Sequence, residues 1–260
     1  MDRRTFVMAA MGSLVETSAA DTKSATNSRA WYELRFYHLR NDLERKPLDD
    51  LLKETYLPLC KKAGITLAGF FNVTIGENMP TLVSLVSYPS LATMDSLADL
   101  SSNDPNWKKA LEEFSQVKPM VYTRVHSRLL RAFASMPAIE NARREDTNEP
   151  RLFELRTYES RNLQACQTKI RMFEEEEIGI FRRTGLNPVF FGQTIVGDDL
   201  PNLTYLLSFE SMEAREQAWR KFITHPDWIK LRSKREFADS EIVSNISNCF
   251  LRPTAYSEIR

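Results

Sequence analysis

A set of polar side chains that could bind an anion occurs twice in the sequence. The segments WYELRFYHLR at 31–40 and LFELRTYESR at 152–161 share Glu, Leu, Arg and Tyr at the same spacing. If both segments are strands, alternate side chains share one side of each, because successive side chains of a strand point to opposite faces. The residues on that shared side are Glu33, Arg35 and Tyr37 in the first segment and Glu154, Arg156 and Tyr158 in the second.

This doubled set has two interpretations. An arginine can hold a carboxylate or enolate through two parallel hydrogen bonds, so Arg35 or Arg156 could bind a ligand while the nearby tyrosine supplies a hydroxyl. Alternatively, the arginines pair with Glu33 and Glu154 and fasten the fold. Such buried pairs roughly break even, but removal of one partner costs about 3–5 kcal/mol. Their presence in both copies favours the structural interpretation.

A second candidate set lies on the strand pattern at 122–131. Arg124, His126 and Arg128 share one face of it with Tyr122, whereas the positions 121 residues later carry neutral side chains: Val243, Asn245, Ser247 and Cys249. This asymmetry suits a ligand site in the first copy, with His126 as general base, Arg124 as anion holder and Arg128 beside them. The alternative is a strand edge whose polar side chains face water.

Several other chemistries are disfavoured. The chain carries 35 Lys plus Arg and 35 Asp plus Glu, so it has no basic field for nucleic acid. Its three cysteines show no CxxC spacing, and no phosphate-binding loop or zinc motif occurs. No histidine has the context of a haem ligand. We therefore expect no metal and no cofactor.

The repeat extends along the whole chain. The offset between the two segments is 154 − 33 = 121, and the same offset relates Gly64 to Gly185, Pro80 to Pro201 and Trp107 to Trp228 without a gap. Glycine, proline and tryptophan have special backbone or packing demands, so such matches do not arise by chance. The sequence therefore predicts two tandem copies of one fold.

Each copy has the pattern β-α-β-β-α-β. In the first copy, alternating strand patterns lie at 30–40, 66–77, 81–90 and 122–131, and helical patterns at 47–63, 91–100 and 105–115. Pro58 and its counterpart Gly179 both weaken the first helix at one place, which predicts a kink in both copies. This order is the ferredoxin-like plan of an α+β fold, with a four-stranded antiparallel sheet and both helices on one face.

The bare face of each sheet needs a partner. We expect the two sheets to face each other as an α/β barrel, with a first domain at 30–131, a linker at 132–150 and a second domain at 151–253. In this arrangement Tyr32, Leu34 and Phe36 would face the helices, and the polar set of Glu33, Arg35 and Tyr37 would line the barrel.

The quoted segments resemble the NIPSNAP family of the dimeric α/β-barrel superfamily. The resemblance rests on YELRFYHL and FELRTYES, on the hairpin AGFFNVTIGENMPTLVSLVSYPSLATMD, and on NDPNWKKALEEF with HPDWIKLRSKREF, and it covers nearly all of 30–253. It implies tandem ferredoxin-like domains but no agreed reaction and no catalytic residues to transfer. The wider superfamily includes cofactor-free monooxygenases, isomerases and haem proteins, so the fold alone decides little.

The N-terminus resembles a twin-arginine export signal. Arg3 and Arg4 precede a short apolar run at 5–15, and the small residues SAA at 18–20 offer a cleavage site. We expect residues 1–29 to be an export signal and disordered tail of a bacterial periplasmic protein; the alternative is a tail on a cytoplasmic protein. No stretch reaches the roughly 18–20 apolar residues that span a bilayer.

Two functions follow as hypotheses. The first is a barrel that binds a small organic ligand or presents its outer helices as a scaffold. The second is a cofactor-independent monooxygenase or isomerase that acts on an enolisable or aromatic compound, with His126, Arg124, Arg35 and Tyr37 as candidates. We also expect a homo-oligomer formed through exposed sheet edges or helices.

Overall fold

The computed structural model describes residues 28–143 and 150–260, so residues 1–27 of the predicted export signal lie outside the described part. The described residues form eight strands. Their bounds are β1 Trp31–Leu39, β2 Leu67–Ile75, β3 Thr81–Tyr88, β4 Tyr122–Ala132, β5 Leu152–Glu159, β6 Asn187–Val196, β7 Asn202–Phe209 and β8 Asn245–Pro253.

The helices lie between the strands in the predicted order. In the first half they are Lys46–Asp50, π-helical Leu51–Tyr56 and Leu57–Lys62, which run on as one helix, then Leu91–Asn103 and Pro105–Ser115. In the second half they are Leu163–Met172, π-helical Phe173–Glu177 and Ile178–Thr184, again one helix, then Met212–Ile223, Pro226–Arg232, the 3-10 turn Arg235–Phe237 and Asp239–Ile242.

The first helix of each half departs from regular α geometry at the predicted place. The π-helical segments end just before Pro58 and Gly179, where the backbone N–H groups of Leu57 and Ile178 bond to the carbonyls five residues earlier. Proline removes a helical donor and glycine weakens the helix, so both copies accommodate the disturbance by widening one turn.

The strands close into one barrel in the order β1-β3-β2-β8-β5-β7-β6-β4. Each half contributes the ferredoxin-like order, β4-β1-β3-β2 and β8-β5-β7-β6, and the halves join through antiparallel pairs of β2 with β8 and β4 with β6. The predicted fold of two tandem ferredoxin-like units that close a barrel is therefore confirmed. The described strands leave no free sheet edge, so the expected association through exposed edges has no edge to use.

The predicted orientation of the first strand of each copy is reversed. Tyr32, Leu34 and Phe153 point into the barrel, where they pack with apolar side chains from both halves. Tyr37 and Tyr158 instead pack under the helices of their own halves. Alternation correctly separates the two faces, but a barrel interior closed to water takes the apolar face, and the polar face finds its partners beneath the helices.

The chain segments that follow β4 and β8 also pack against the barrel. Phe133 stacks on Phe191 of the second half at 5.5 Å between ring centroids, and Met136 is fully buried in the same cluster. The C-terminal tail crosses to the first half, where Ser257 Oγ accepts from the backbone N–H of Phe70 and Ile259 is buried in the barrel. The described part of the predicted linker and the residues after 253 thus belong to the packed structure.

Candidate functional site

One end of the barrel opens into a cavity of about 690 Å³, which we call the barrel mouth. It lies between the C-terminal ends of β1 and β5 and the N-terminal ends of β4 and β8, together with the tips of the β2–β3 and β6–β7 hairpins. Cavities of this size hold small organic ligands in many proteins. The barrel mouth is therefore the first place to look for function.

The predicted strand face of Arg124, His126 and Arg128 lines the barrel mouth. These side chains share the side of β4 that continues inward to Leu130, which is fully buried in the barrel interior. Because β4 extends beyond the packed part of the barrel, its polar residues stand at the open end. The structure thus brings these three residues together, while Glu33, Arg35, Tyr37, Glu154, Arg156 and Tyr158 lie on the opposite side of the sheet.

His126 has the surroundings of a candidate proton acceptor. Its Nδ1 lies 3.3 Å from Oδ2 of Asp198, and its ring meets His38 edge to face at 5.0 Å. Its side chain is 43% exposed, so a ligand in the cavity can reach it. Burial, together with the charges of Arg124 and His126, lowers the pKa of His38, which favours the neutral form of that imidazole. A carboxylate beside a histidine orients the imidazole ring.

The two arginines of this face differ in their pairing. Arg128 Nη2 lies 3.3 Å from Oδ2 of Asp199, its guanidinium lies 5.6 Å from the Phe36 ring centroid, and its buried Nε has no hydrogen-bond partner. Arg124 forms no ion pair with another described residue. Of the two, Arg124 is the arginine available to an incoming anion.

The side of the barrel mouth formed by β5 and β8 is neutral, although the β6–β7 turn of the same copy adds Asp198 and Asp199 to the cavity. Thr157, Ser247 and Cys249 line this neutral side with Leu155. Burial raises the pKa of Cys249 to about 12, so its thiol stays protonated near neutral pH. A ligand would therefore meet an uncharged side at β5 and β8 and a side of mixed charge, where Arg124 and Arg128 lie with Glu77, Asp198 and Asp199.

Sequence reasoning missed Asp198 and Asp199. Both belong to the GDDLP turn, whose sequence signals only a hairpin. Asp199 has a positive φ of 58°, as does its counterpart Asn78 at 55°, and this conformation is tolerated best by Asn, Asp and Gly. The turn motif therefore gave no indication that two carboxylates would contact His126 and Arg128 where β4 pairs with β6.

The polar set of the second copy forms a complete network beneath the helices. The fully buried Glu154 accepts hydrogen bonds from Arg156, Arg215 and Trp219, at 2.8, 2.8 and 3.0 Å for the shortest contact of each. Burial alone would raise the pKa of Glu154, but the hydrogen bond from Arg215 and the charge of Arg156 lower it to about 2. Asn248 donates a further hydrogen bond at 3.0 Å. This network has the features of the predicted structural fastening.

The first copy satisfies its buried carboxylate differently. Glu33 accepts from Arg35 Nε at 2.7 Å, from the hydroxyl of Tyr88 at 2.9 Å and from that of Ser127 at 3.1 Å. Among the residues that the structure describes, no second arginine and no tryptophan donates to Glu33. The two copies therefore share the strand motif but not the residues that cover it.

Neither a metal centre nor a membrane span is found in the part of the chain that the structure describes. Within 28–143 and 150–260, no three His, Cys, Asp or Glu side chains are arranged to hold a metal ion. No helix of these ranges is long and apolar enough to cross a membrane.

Comparison with solved structures supports the fold. A provisionally named monooxygenase from Lactobacillus acidophilus aligns with a TM-score of 0.55 and 9% identity over 87% of this chain and 94% of its own. A provisionally named monooxygenase from Fusobacterium nucleatum aligns with a TM-score of 0.52 and 10% identity over 87% and 93%. An anthrone oxidase-like protein aligns with a TM-score of 0.50 and 10% identity over 88% and 93%. At these identities the likeness establishes the fold and no more.

Comparison by sequence identifies the family. No curated protein matches the chain. The family model described as NIPSNAP matches twice, over residues 32–137 and 153–258, so each half of the barrel is one complete match. The second match runs past the predicted domain end at 253 into the tail that packs on the first half. The chain belongs to the NIPSNAP family.

Proposed function

We propose that the barrel mouth binds a small organic anion with an apolar body. The observation that carries the proposal is Arg124, which forms no ion pair with another described residue and lines a cavity of about 690 Å³. Phe36 and Leu155 supply apolar surface in the same cavity. An arginine presents paired donors that match a carboxylate or enolate, and apolar surface nearby binds the rest of the molecule.

The placement of the charges in the barrel mouth bears on how a ligand would bind. Asp199 pairs with Arg128 and Asp198 contacts His126, while Glu77 also lines the cavity, so the attraction for an anion is local to Arg124. Arg124 adds a positive charge on the same side, and Thr157, Ser247 and Cys249 across the cavity are neutral. A ligand with its charge at one end would place that end at Arg124 and its apolar end toward the second copy.

Binding of 2-naphthoate and of neutral 2-naphthamide, compared by isothermal titration calorimetry, tests the proposal. We expect the carboxylate to bind more tightly than the amide, and Arg124→Gln to weaken its binding about tenfold, because charge-assisted hydrogen bonds contribute roughly 1.5–3 kcal/mol. Arg220→Gln, on the exposed face of the Met212–Ile223 helix, is the matched control. Equal affinity of wild type and Arg124→Gln for 2-naphthoate would overturn the assignment.

A second candidate function is cofactor-independent oxygenation, favoured by the contact of His126 with Asp198. In this reaction His126 removes a proton from a carbon next to a carbonyl, and Arg124 stabilises the resulting enolate. The enolate itself reduces dioxygen, and with anthrone the balance is one anthrone plus one O₂ giving one anthraquinone plus one water. The names of the monooxygenase and anthrone oxidase-like structures are consistent with this candidate.

Oxygen uptake with anthrone separates the two functions. An oxygenase consumes one O₂ per anthraquinone formed above the buffer rate, and His126→Gln removes that activity. His225→Asn is the control, because His225 caps the Pro226–Arg232 helix and asparagine can still accept that hydrogen bond. Exchange of the anthrone C10 hydrogens in deuterated buffer without oxygen uptake would instead indicate an isomerase-type proton transfer. Anion binding with neither reaction would leave binding as the function.

A further inference from the structure

The two copies differ in how they cover the arginine of their first strand. In the second copy, Trp219 lies with its ring 4.8 Å from the guanidinium of Arg156, and Arg215 and Trp219 both donate to Glu154. The side chain of Arg156 is consequently only 14% exposed. The Met212–Ile223 helix thus closes the space beside Arg156 with the protein's own side chains.

The equivalent helix of the first copy lacks this cover. The offset places Ala98 where the second copy has Trp219 (219 − 121 = 98) and Met94 where it has Arg215 (215 − 121 = 94). The alignment is secure because both helices begin at an equivalent serine N-cap, Ser90 and Ser211. Ala98 is exposed, so no large side chain stands in the position of the indole.

The neighbouring strand also differs between the two copies. Arg156 pairs across the sheet with Tyr205, whose hydroxyl accepts from its Nε at 2.9 Å. The residue across from Arg35 is Ser84, which is smaller than Tyr205 and is itself buried. The buried ring of Tyr56 lies near Arg35 in the first copy, so the loss of bulk beside Arg35 rests on Ala98 of the helix.

Arg35 itself is more accessible and less fully paired than Arg156. Its side chain is 36% exposed, and among the described residues Glu33 is the one carboxylate that pairs with it, through Nε. Tyr88 and Ser127 supply the other hydrogen bonds to Glu33, so the carboxylate needs no additional cation. The terminal nitrogens of Arg35 are thus left without a carboxylate at the open side of the helix layer.

Aromatic side chains surround this position. Tyr37, which follows Arg35 on the same face of β1, meets Tyr122 edge to face at 5.7 Å, and Tyr122 stacks on Phe114 at 6.0 Å. Met94 packs against the same cluster. We call the exposed side of Arg35, together with the helix positions Met94 and Ala98 that the offset places over it, the Arg35 crevice.

We propose that the Arg35 crevice is a second ligand site, which binds a small flat carboxylate in the space that Trp219 fills in the other copy. The carboxylate pairs with the terminal nitrogens of Arg35 and accepts from the hydroxyl of Tyr37, while the flat body packs on the guanidinium and the aromatic rings. This site is separate from the barrel mouth, because Arg35 faces the helices and Arg124 faces the inside of the barrel.

The decisive variant is Ala98→Trp, which copies the cover of the second half into the first. This variant leaves Glu33, Arg35 and their hydrogen-bond partners unchanged. It therefore fills the crevice while Glu33 stays paired. Ala92→Trp is the matched control, since Ala92 is an exposed alanine on the same helix, six residues away and therefore on another face.

Fluorine NMR titration with 4-fluorobenzoate tests the proposal, with Arg124→Gln as the parent so that the barrel mouth contributes little. We expect the parent and its Ala92→Trp derivative to bind 4-fluorobenzoate equally, and its Ala98→Trp derivative to bind at least tenfold more weakly. Arg35→Gln in the same parent should also lose binding, with its folding checked by circular dichroism. Absence of binding to the parent, or unchanged binding to the Ala98→Trp derivative, would overturn the proposal without affecting the assignment of the barrel mouth.

Discussion

The ammonium group of Lys169 lies 2.9 Å from the carboxylate of Glu177, and the two side chains are only 1% and 2% exposed. The ammonium also lies 4.6 Å from the ring centroid of Phe173. The equivalent residues of the first copy are Leu48 and Tyr56, because 169 − 121 = 48 and 177 − 121 = 56. The first copy thus fills this place beneath its helices without ions, which indicates that the fold does not require the charges.

Loss of one member of this pair should cost more than loss of both. Lys169→Met leaves the Glu177 carboxylate buried without its partner, which should lower the free energy of unfolding by about 3–5 kcal/mol. The double variant Lys169→Met with Glu177→Leu should recover most of that loss, since an apolar pair of similar volume avoids the desolvation cost. Urea denaturation of both variants measures the difference. Equal destabilisation of the single and double variants would contradict this account.

Glu154 should make stability depend on pH in the acid range. Its folded-state pKa of about 2 is below the ordinary value of 4.5, so its contribution is fully present above pH 4.5 and is lost as the pH falls toward 2. A shift of this size corresponds to on the order of 3 kcal/mol.

Glu154→Gln is the variant that tests this pH dependence. The difference in unfolding free energy between wild type and Glu154→Gln should shrink as the pH falls from 4.5 toward 2, because the protonated carboxyl no longer holds Arg156 and Arg215 as an anion. Urea denaturation at several pH values measures it. The exposed Glu213→Gln, on the same helix as Arg215, is the control and should show only a small difference over the same pH range. A difference for Glu154→Gln that stays constant with pH would refute the assignment.

The two strand arginines should differ in their contribution to stability. Arg156→Ala removes the partner of a fully buried carboxylate and should cost about 3–5 kcal/mol. Arg35→Ala should also destabilise but by less, because Arg35 is 36% exposed and Tyr88 and Ser127 still satisfy Glu33. Chemical denaturation of the two variants compares these effects directly. A larger loss for Arg35→Ala than for Arg156→Ala would show that the first copy depends on its charge cluster more than the contacts indicate.

The barrel could be predicted from the sequence because the information is carried by repetition. A constant offset of 121 residues aligns strands, helix breakers and turns, and the ferredoxin-like order leaves each sheet with a face to cover. Which face of the first strand points into the barrel could not be predicted in the same way. Strand alternation shows that Glu33 and Leu34 face opposite sides, but both sides are buried in this fold, so hydrophobicity alone does not identify the interior.

The candidate site could be predicted in part. The divergence of the two copies on β4 and β8 directed attention to His126 and Arg124, which the structure places in the lining of the barrel mouth. Asp198 escaped prediction because its contact with His126 requires β4 to pair with β6 of the other copy. Such a pairing between halves leaves no local pattern in the sequence.

The C-terminal tail should contribute to stability although it follows the last strand. Ile259 is fully buried in the barrel interior, and Glu258 exchanges hydrogen bonds with the backbone of Ala68 while its carboxylate pairs with Lys61. Ile259→Ala leaves a cavity among side chains from both halves and should lower the free energy of unfolding by about 2–5 kcal/mol. Ile223→Ala, at the exposed end of the Met212–Ile223 helix, is the matched control and should cost well under 1 kcal/mol.

The tail joins the second copy to the first, so Ile259→Ala should lower the stability of both halves together. Urea denaturation monitored by tryptophan fluorescence should therefore show one unfolding transition for this variant. Two separate transitions, or a loss no larger than that of Ile223→Ala, would show that the tail is dispensable to the barrel.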